Sequence, residues 1–70
     1  MTGEEAKKAM LESLPVVFNH PGLGTITYTN IYAIRYMKGK KGVAVFLELL
    51  DKNKNSITVA PMKEVELYQE

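Results

Sequence analysis

The eight residues Val43-Ala44-Val45-Phe46-Leu47-Glu48-Leu49-Leu50 carry a single charge, that of Glu48. Read as a strand, their side chains point alternately to two faces, Val43, Val45, Leu47 and Leu49 to one, Ala44, Phe46, Glu48 and Leu50 to the other. A strand wetted on one side alternates apolar with polar residues, and this one is nearly apolar on both. In a chain of 70 residues that is a severe constraint. So small a domain buries a modest share of its surface and has little stability to spare. Something has to cover each face.

The nearest cover is at the N-terminus. Thr2-Gly3-Glu4-Glu5 has the spacing of a capping box, in which Thr2 accepts from the Glu5 amide and Glu5 returns the bond. The spacing predicts a helix over residues 2–14, ended by Pro15, with Ala6, Met10, Leu11 and Leu14 along one face. A helix of about a dozen residues is marginal alone and has to dock. The expectation is that it lies on the second face of the Val43–Leu50 strand, or that a homodimer covers what the helix leaves.

After Pro15 the periodicity changes to runs rich in β-branched and aromatic residues. Val16 to Phe18 reads as a first strand and His20 to Gly24 as a turn. Residues 25–38 continue as a second strand with a bend or bulge at Asn30, its side chains sorted as Ile31, Ala33 and Met37 against Tyr32, Ile34 and Tyr36. Gly39-Lys40-Lys41-Gly42 is a tight hairpin and Val43 to Leu50 the third strand. Asp51-Lys52-Asn53-Lys54-Asn55 is a second hairpin turn, with side chains suited to left-handed backbone. Ser56 to Ala60 is a fourth strand, Pro61 to Lys63 a single 3₁₀ turn, and Glu64 to Tyr68 a fifth strand. One domain fills the chain.

This order, closed by Ile57-Thr58-Val59-Ala60-Pro61-Met62-Lys63-Glu64-Val65-Glu66-Leu67, resembles the SH3-like small β-barrels over residues 16–68. The resemblance implies a mainly β fold, an N-terminal α-helix followed by a five-stranded SH3-like barrel. The acidic loop and tryptophan with which signalling SH3 domains read proline-rich peptides have no counterpart here, so that activity is not carried over. The runs Ala33-Ile34-Arg35-Tyr36, Leu49-Leu50-Asp51-Lys52-Asn53 and Ser56-Ile57-Thr58-Val59-Ala60 are similar to short uncharacterised proteins of phages and mobile elements of Gram-positive bacteria. That likeness implies a lineage and no biochemical activity.

Several chemistries find no support in the residues. The chain has no cysteine and one histidine, so neither a disulfide framework nor a zinc site by Cys or His pairs is available. His20 lacks a nucleophile at any recognisable spacing. Gly22-Leu23-Gly24-Thr25 lacks the lysine and following helix of a phosphate loop, and reads as turn glycines. Asp51 fits a turn, Glu64 and Glu66 a solvated face, and Glu48 a rim position or a cross-strand pair with Arg35. The expectation is a non-enzyme without cofactors. With no apolar run long enough to span a bilayer, a cytoplasmic setting is the default, with no membrane partner.

What remains is binding. Net charge is +1, distributed as −1 over residues 1–14, +1 over 15–37, +3 over 38–54 and −2 over 55–70. Basic residues Arg35, Lys38, Lys40, Lys41, Lys52 and Lys54 interleave with Tyr28, Tyr32 and Tyr36, a pattern that small nucleic-acid-binding barrels use. The two lysine-bearing hairpins, however, lie at opposite ends of the third strand, on the order of 25 Å apart. With a Debye length of about 8 Å they act separately. The favoured expectation is an interaction module, protein-binding or self-associating, with Tyr32, Tyr36 and Phe46 making the apolar contact and Arg35 at its rim. The alternative is nucleic-acid binding through Lys38, Lys40 and Lys41.

Overall fold

A computed structural model describes residues 1–53 and 55–69. The chain is mainly β. Helix α1 (Gly3–Leu11) is followed by strands β1 (Val16–His20), β2 (Gly24–Tyr28), β3 (Asn30–Gly39), β4 (Gly42–Leu50) and β5 (Ile57–Pro61), a 3₁₀ turn (Met62–Glu64), and β6 (Val65–Leu67). The strands form two antiparallel three-stranded sheets, ordered β2-β1-β6 and β3-β4-β5. Six strands stand in place of the expected five because the long second strand is divided at Thr29, whose amide and hydroxyl both reach the Leu50 carbonyl at 3.0 Å. The break therefore falls one residue before the expected Asn30. Of the second hairpin turn, Lys54 lies outside the described residues.

The helix begins as the capping box requires. Thr2 N–H donates to Glu5 Oε1 at 2.9 Å and Glu5 N–H to Thr2 Oγ1 at 3.1 Å. It ends at Leu11, short of the expected residue 14, and Pro15 is not what stops it. Ser13 takes the left-handed conformation at φ 53, Leu14 N–H donates to Ala9 O and Ser13 N–H to Met10 O. This is the Schellman arrangement, which satisfies carbonyls that the last turn would otherwise orphan. The apolar face is rotated accordingly: Ala6 and Ala9 are fully buried, Met10 and Leu14 partly so, and Leu11 faces solvent.

One core lies between the sheets. Val16, Phe18, Tyr28 and Val65 reach it from β2-β1-β6; Ile31, Leu47, Leu49 and Ala60 reach it from β3-β4-β5. Ala6 and Ala9 belong to the same cluster, with α1 packed against β3. The helix thus closes the interior and leaves the second face of β4 uncovered, contrary to expectation. Alanine at both contact points lets the helix backbone come close, a packing advantage that periodicity alone does not reveal.

Candidate functional site

The two sheets turn opposite chemistry outward. In β2-β1-β6 the outward row is Val17, Asn19, Thr25, Thr27 and Glu66, alternating cleanly with the buried Val16, Phe18, Tyr28 and Val65. Its polar atoms are linked: Thr25 Oγ1 donates to Asn19 Oδ1 at 3.2 Å, and Asn19 Nδ2 to Glu66 Oε2 at 3.5 Å. This face is polar and open to solvent.

The outward face of β3-β4-β5 follows from the register. Leu47 and Leu49 point inward, so their partners Ile34, Ile31, Ala60 and Thr58 do too. Between them stand the outward residues Asn30, Ala33, Arg35 and Met37 on β3, Ala44, Phe46, Glu48 and Leu50 on β4, and Ile57, Val59 and Pro61 on β5. Met37 is 52 % exposed, Val59 49 % and Ile57 43 %, while Phe46 and Leu50 are half-buried by their neighbours alone. All but Asn30, Arg35 and Glu48 are apolar. The two charges form the one ion pair among the described residues, Arg35 Nε to Glu48 Oε2 at 3.6 Å. The expected pairing is present, as a diagonal contact, since Arg35 stands directly opposite Phe46 and Glu48 opposite Ala33.

The four residues expected to share a contact surface do not share one face. A bulge between Ile31 and Ala33 takes Tyr32 out of the ladder and reverses the alternation beyond it. Ile31 therefore faces the core together with Ile34, and Ala33, Arg35 and Met37 form the outward row, which corrects the sorting by simple alternation. Arg35 and Phe46 are together on the outward face. Tyr36 pairs with Val45 on the inward row, but beyond the core, where the β3–β4 hairpin projects and Tyr36 is 68 % exposed. Tyr32 is exposed at the bulge, and Tyr28 is buried in the core. Met37, Ile57 and Val59 belong to the surface without having been expected there; alternation along residues 57–61 carried the signal for the last two.

Lys38, Lys40 and Lys41 are exposed at the tip of the same hairpin. The tip is built from Lys40 and Lys41, which keep negative φ, followed by Gly42 at φ 125. Glycine is needed at that one position.

The remaining candidates make local hydrogen bonds. His20 Nδ1 accepts from the Gly22 and Leu23 amides at 3.0 and 3.1 Å, which fixes the turn and, in the neutral ring, places the proton on Nε2. Its ring meets Phe18 edge-on at 5.3 Å. Asp51 accepts from Asn55 N–H at 3.0 Å and from the Ser56 hydroxyl at 2.9 Å, and these bonds, the Asn55 amide first, hold its carboxyl below the usual 3.8. Glu5 is held below its usual 4.5 by Thr2, through the amide first and then the hydroxyl. Among the described residues no three His, Cys, Asp or Glu gather as metal ligands, and no helix is long and apolar enough to cross a membrane.

The outward face of β3-β4-β5 thus offers apolar contact area around one ion pair. Compared with known proteins, the chain matches no family model, no curated protein and no solved structure.

Proposed function

We propose that this protein is a non-enzymatic interaction module that binds a protein surface through the outward face of β3-β4-β5. The observation that carries this reading is the contrast between the two sheets, one polar outside and the other apolar. Full burial of an aliphatic or aromatic side chain is worth roughly 1.5–3 kcal/mol. Met37, Phe46, Leu50, Ile57 and Val59 on one face therefore hold binding energy that the monomer leaves unused. A role as an accessory protein of a phage or mobile element rests on the sequence resemblance alone.

The test is Val59→Glu, which places a charge amid the apolar face at a half-exposed position outside the core. The variant is expected to keep its circular dichroism spectrum and to lose association, read as light-scattering mass and as captured partner. Tyr36→Ala, off this face, is expected to retain it. A folded Val59→Glu with both readouts unchanged refutes the assignment.

The exposure of Lys38, Lys40 and Lys41 together at one tip, beside Tyr36, favours a second reading, a small nucleic-acid binder. It requires salt-sensitive oligonucleotide binding that reversal of the three charges weakens. Absence of binding at low salt, where phosphate contacts are strongest, removes it.

A further inference from the structure

We infer that the occupant of the outward β3-β4-β5 face is a second copy of this chain, packed face to face, with Arg35 of each copy beside Glu48 of the other. The inference rests on the interaction-module reading and adds the identity of the partner.

Charge placement points to a second copy. Among the described residues the face has one positive and one negative group and otherwise no charge, so their net charge is zero. The two sit diagonally, Arg35 at the level of Phe46 on one strand and Glu48 two residues further along the next. Consider a two-fold axis lying between the two facing sheets, perpendicular to the strands at the level of Ile34 and Leu47. It brings each Arg35 over the other copy's Ala33 and directly beside the other copy's Glu48. Alanine at that position leaves room for a guanidinium. An axis parallel to the strands, midway between β3 and β4, instead sets Arg35 beside Arg35 and Glu48 beside Glu48. The pattern is self-complementary in one orientation and repulsive in the other, which is what an isologous contact requires. Within the monomer, Arg35 meets Glu48 only through Nε at 3.6 Å and its side chain is 58 % exposed, so the guanidinium retains donors for a second carboxylate.

Area sets the strength. Strands of ten, nine and five residues, about 4.8 Å apart at roughly 3.3 Å per residue, project on the order of 400 Å². A standard stable interface buries about 800 Å² per partner. The contact is therefore at the small end, suited to a reversible dimer rather than a permanent one.

Sedimentation of the full chain across a concentration series up to about 1 mM is expected to move from the 7.9 kDa monomer toward twice that mass. Arg35→Glu and Glu48→Arg are each expected to remain monomeric alone, because each dimer would then oppose like charges. Mixed in equal amounts they are expected to dimerise. The carboxylate introduced at position 35 then meets the guanidinium introduced at position 48, and the native Glu48 of one variant meets the native Arg35 of the other. Neither a folding defect nor a general change of charge produces that rescue in the mixture. Should either variant fail to fold, the wild-type dilution series followed by amide shifts reads the same surface, with changes expected at Met37, Phe46 and Val59 and none at Asn19 and Thr27. A wild-type monomer at about 1 mM, a single variant that dimerises as wild type does, or a mixture that stays monomeric overturns the second copy. If the wild type is monomeric but Val59→Glu still abolishes binding to another protein, the interaction module survives without the dimer. If Val59→Glu changes nothing, both readings fail.

Discussion

Ser13 is the residue at which local conformation and residue type are most at odds. It occupies the left-handed position of the helix C-terminus, φ 53, where an L side chain crowds its own backbone. Glycine has no such crowding, so Ser13→Gly is expected to stabilise the protein by about 1 kcal/mol, less the greater entropy of glycine in the unfolded chain. A chemical denaturation midpoint moved downward by the substitution would contradict this. Asp51 carries the pH dependence at the same scale. Its carboxyl is held below its unfolded value by the Asn55 amide and the Ser56 hydroxyl. A depressed carboxyl contributes stability that is present above the unfolded value and lost as pH falls through the folded one. Acid is therefore expected to loosen the β4–β5 turn below about pH 4. Asp51→Asn should flatten that portion of the stability profile, measured by thermal melts between neutral pH and about pH 2.5.

At the scale of elements, the β3–β4 hairpin turns on one glycine. Gly42 at φ 125 has open space where a Cβ would stand, so any cost of a side chain there is backbone strain alone. Gly42→Ala is expected to destabilise by about 1–2 kcal/mol. Gly39→Ala, at ordinary φ and with its new Cβ 3.6 Å from the Gly42 carbonyl, is expected to be near neutral. Equal losses in paired denaturation curves would assign the cost to the hairpin's packing instead. The bulge at Tyr32 has the larger consequence, because it decides which residues of β3 face outward. Without it Arg35 would stand on the inward row, and the diagonal pair with Glu48 would not form.

For the whole molecule, the distinction between the core and the outward β3-β4-β5 face predicts opposite responses to substitution. Leu47 and Leu49 are fully buried, and Leu47→Ala is expected to cost about 2–5 kcal/mol through lost contacts and a cavity. Val59→Thr, on the outward face, is expected to change monomer stability by less than about 0.5 kcal/mol while weakening association. A Val59→Thr loss as large as that of Leu47→Ala would mean that this face is folded against something in the monomer. One sheet face can stay uncovered because the core is closed elsewhere, by α1 against β3 and by the second sheet.

The helix start, the mainly β order, the hairpin at Gly39–Gly42 and a fourth strand ending at the 3₁₀ turn were all legible in the residues. These are local features: a capping box, period-two alternation, and turn residues whose backbone preferences act within a few positions. The two apolar faces of Val43–Leu50 and the pairing of Glu48 with Arg35 were legible on the same terms. Which face stays open was not. The bulge at Tyr32 shifts the register of β3, which no alternation rule foresees, and separates Tyr36 from Phe46. Ala6 and Ala9 send the helix to the interior rather than to the outward face, because close backbone approach depends on small residues meeting a particular surface. Local chemistry draws the strands; long-range packing chooses the surface that they present.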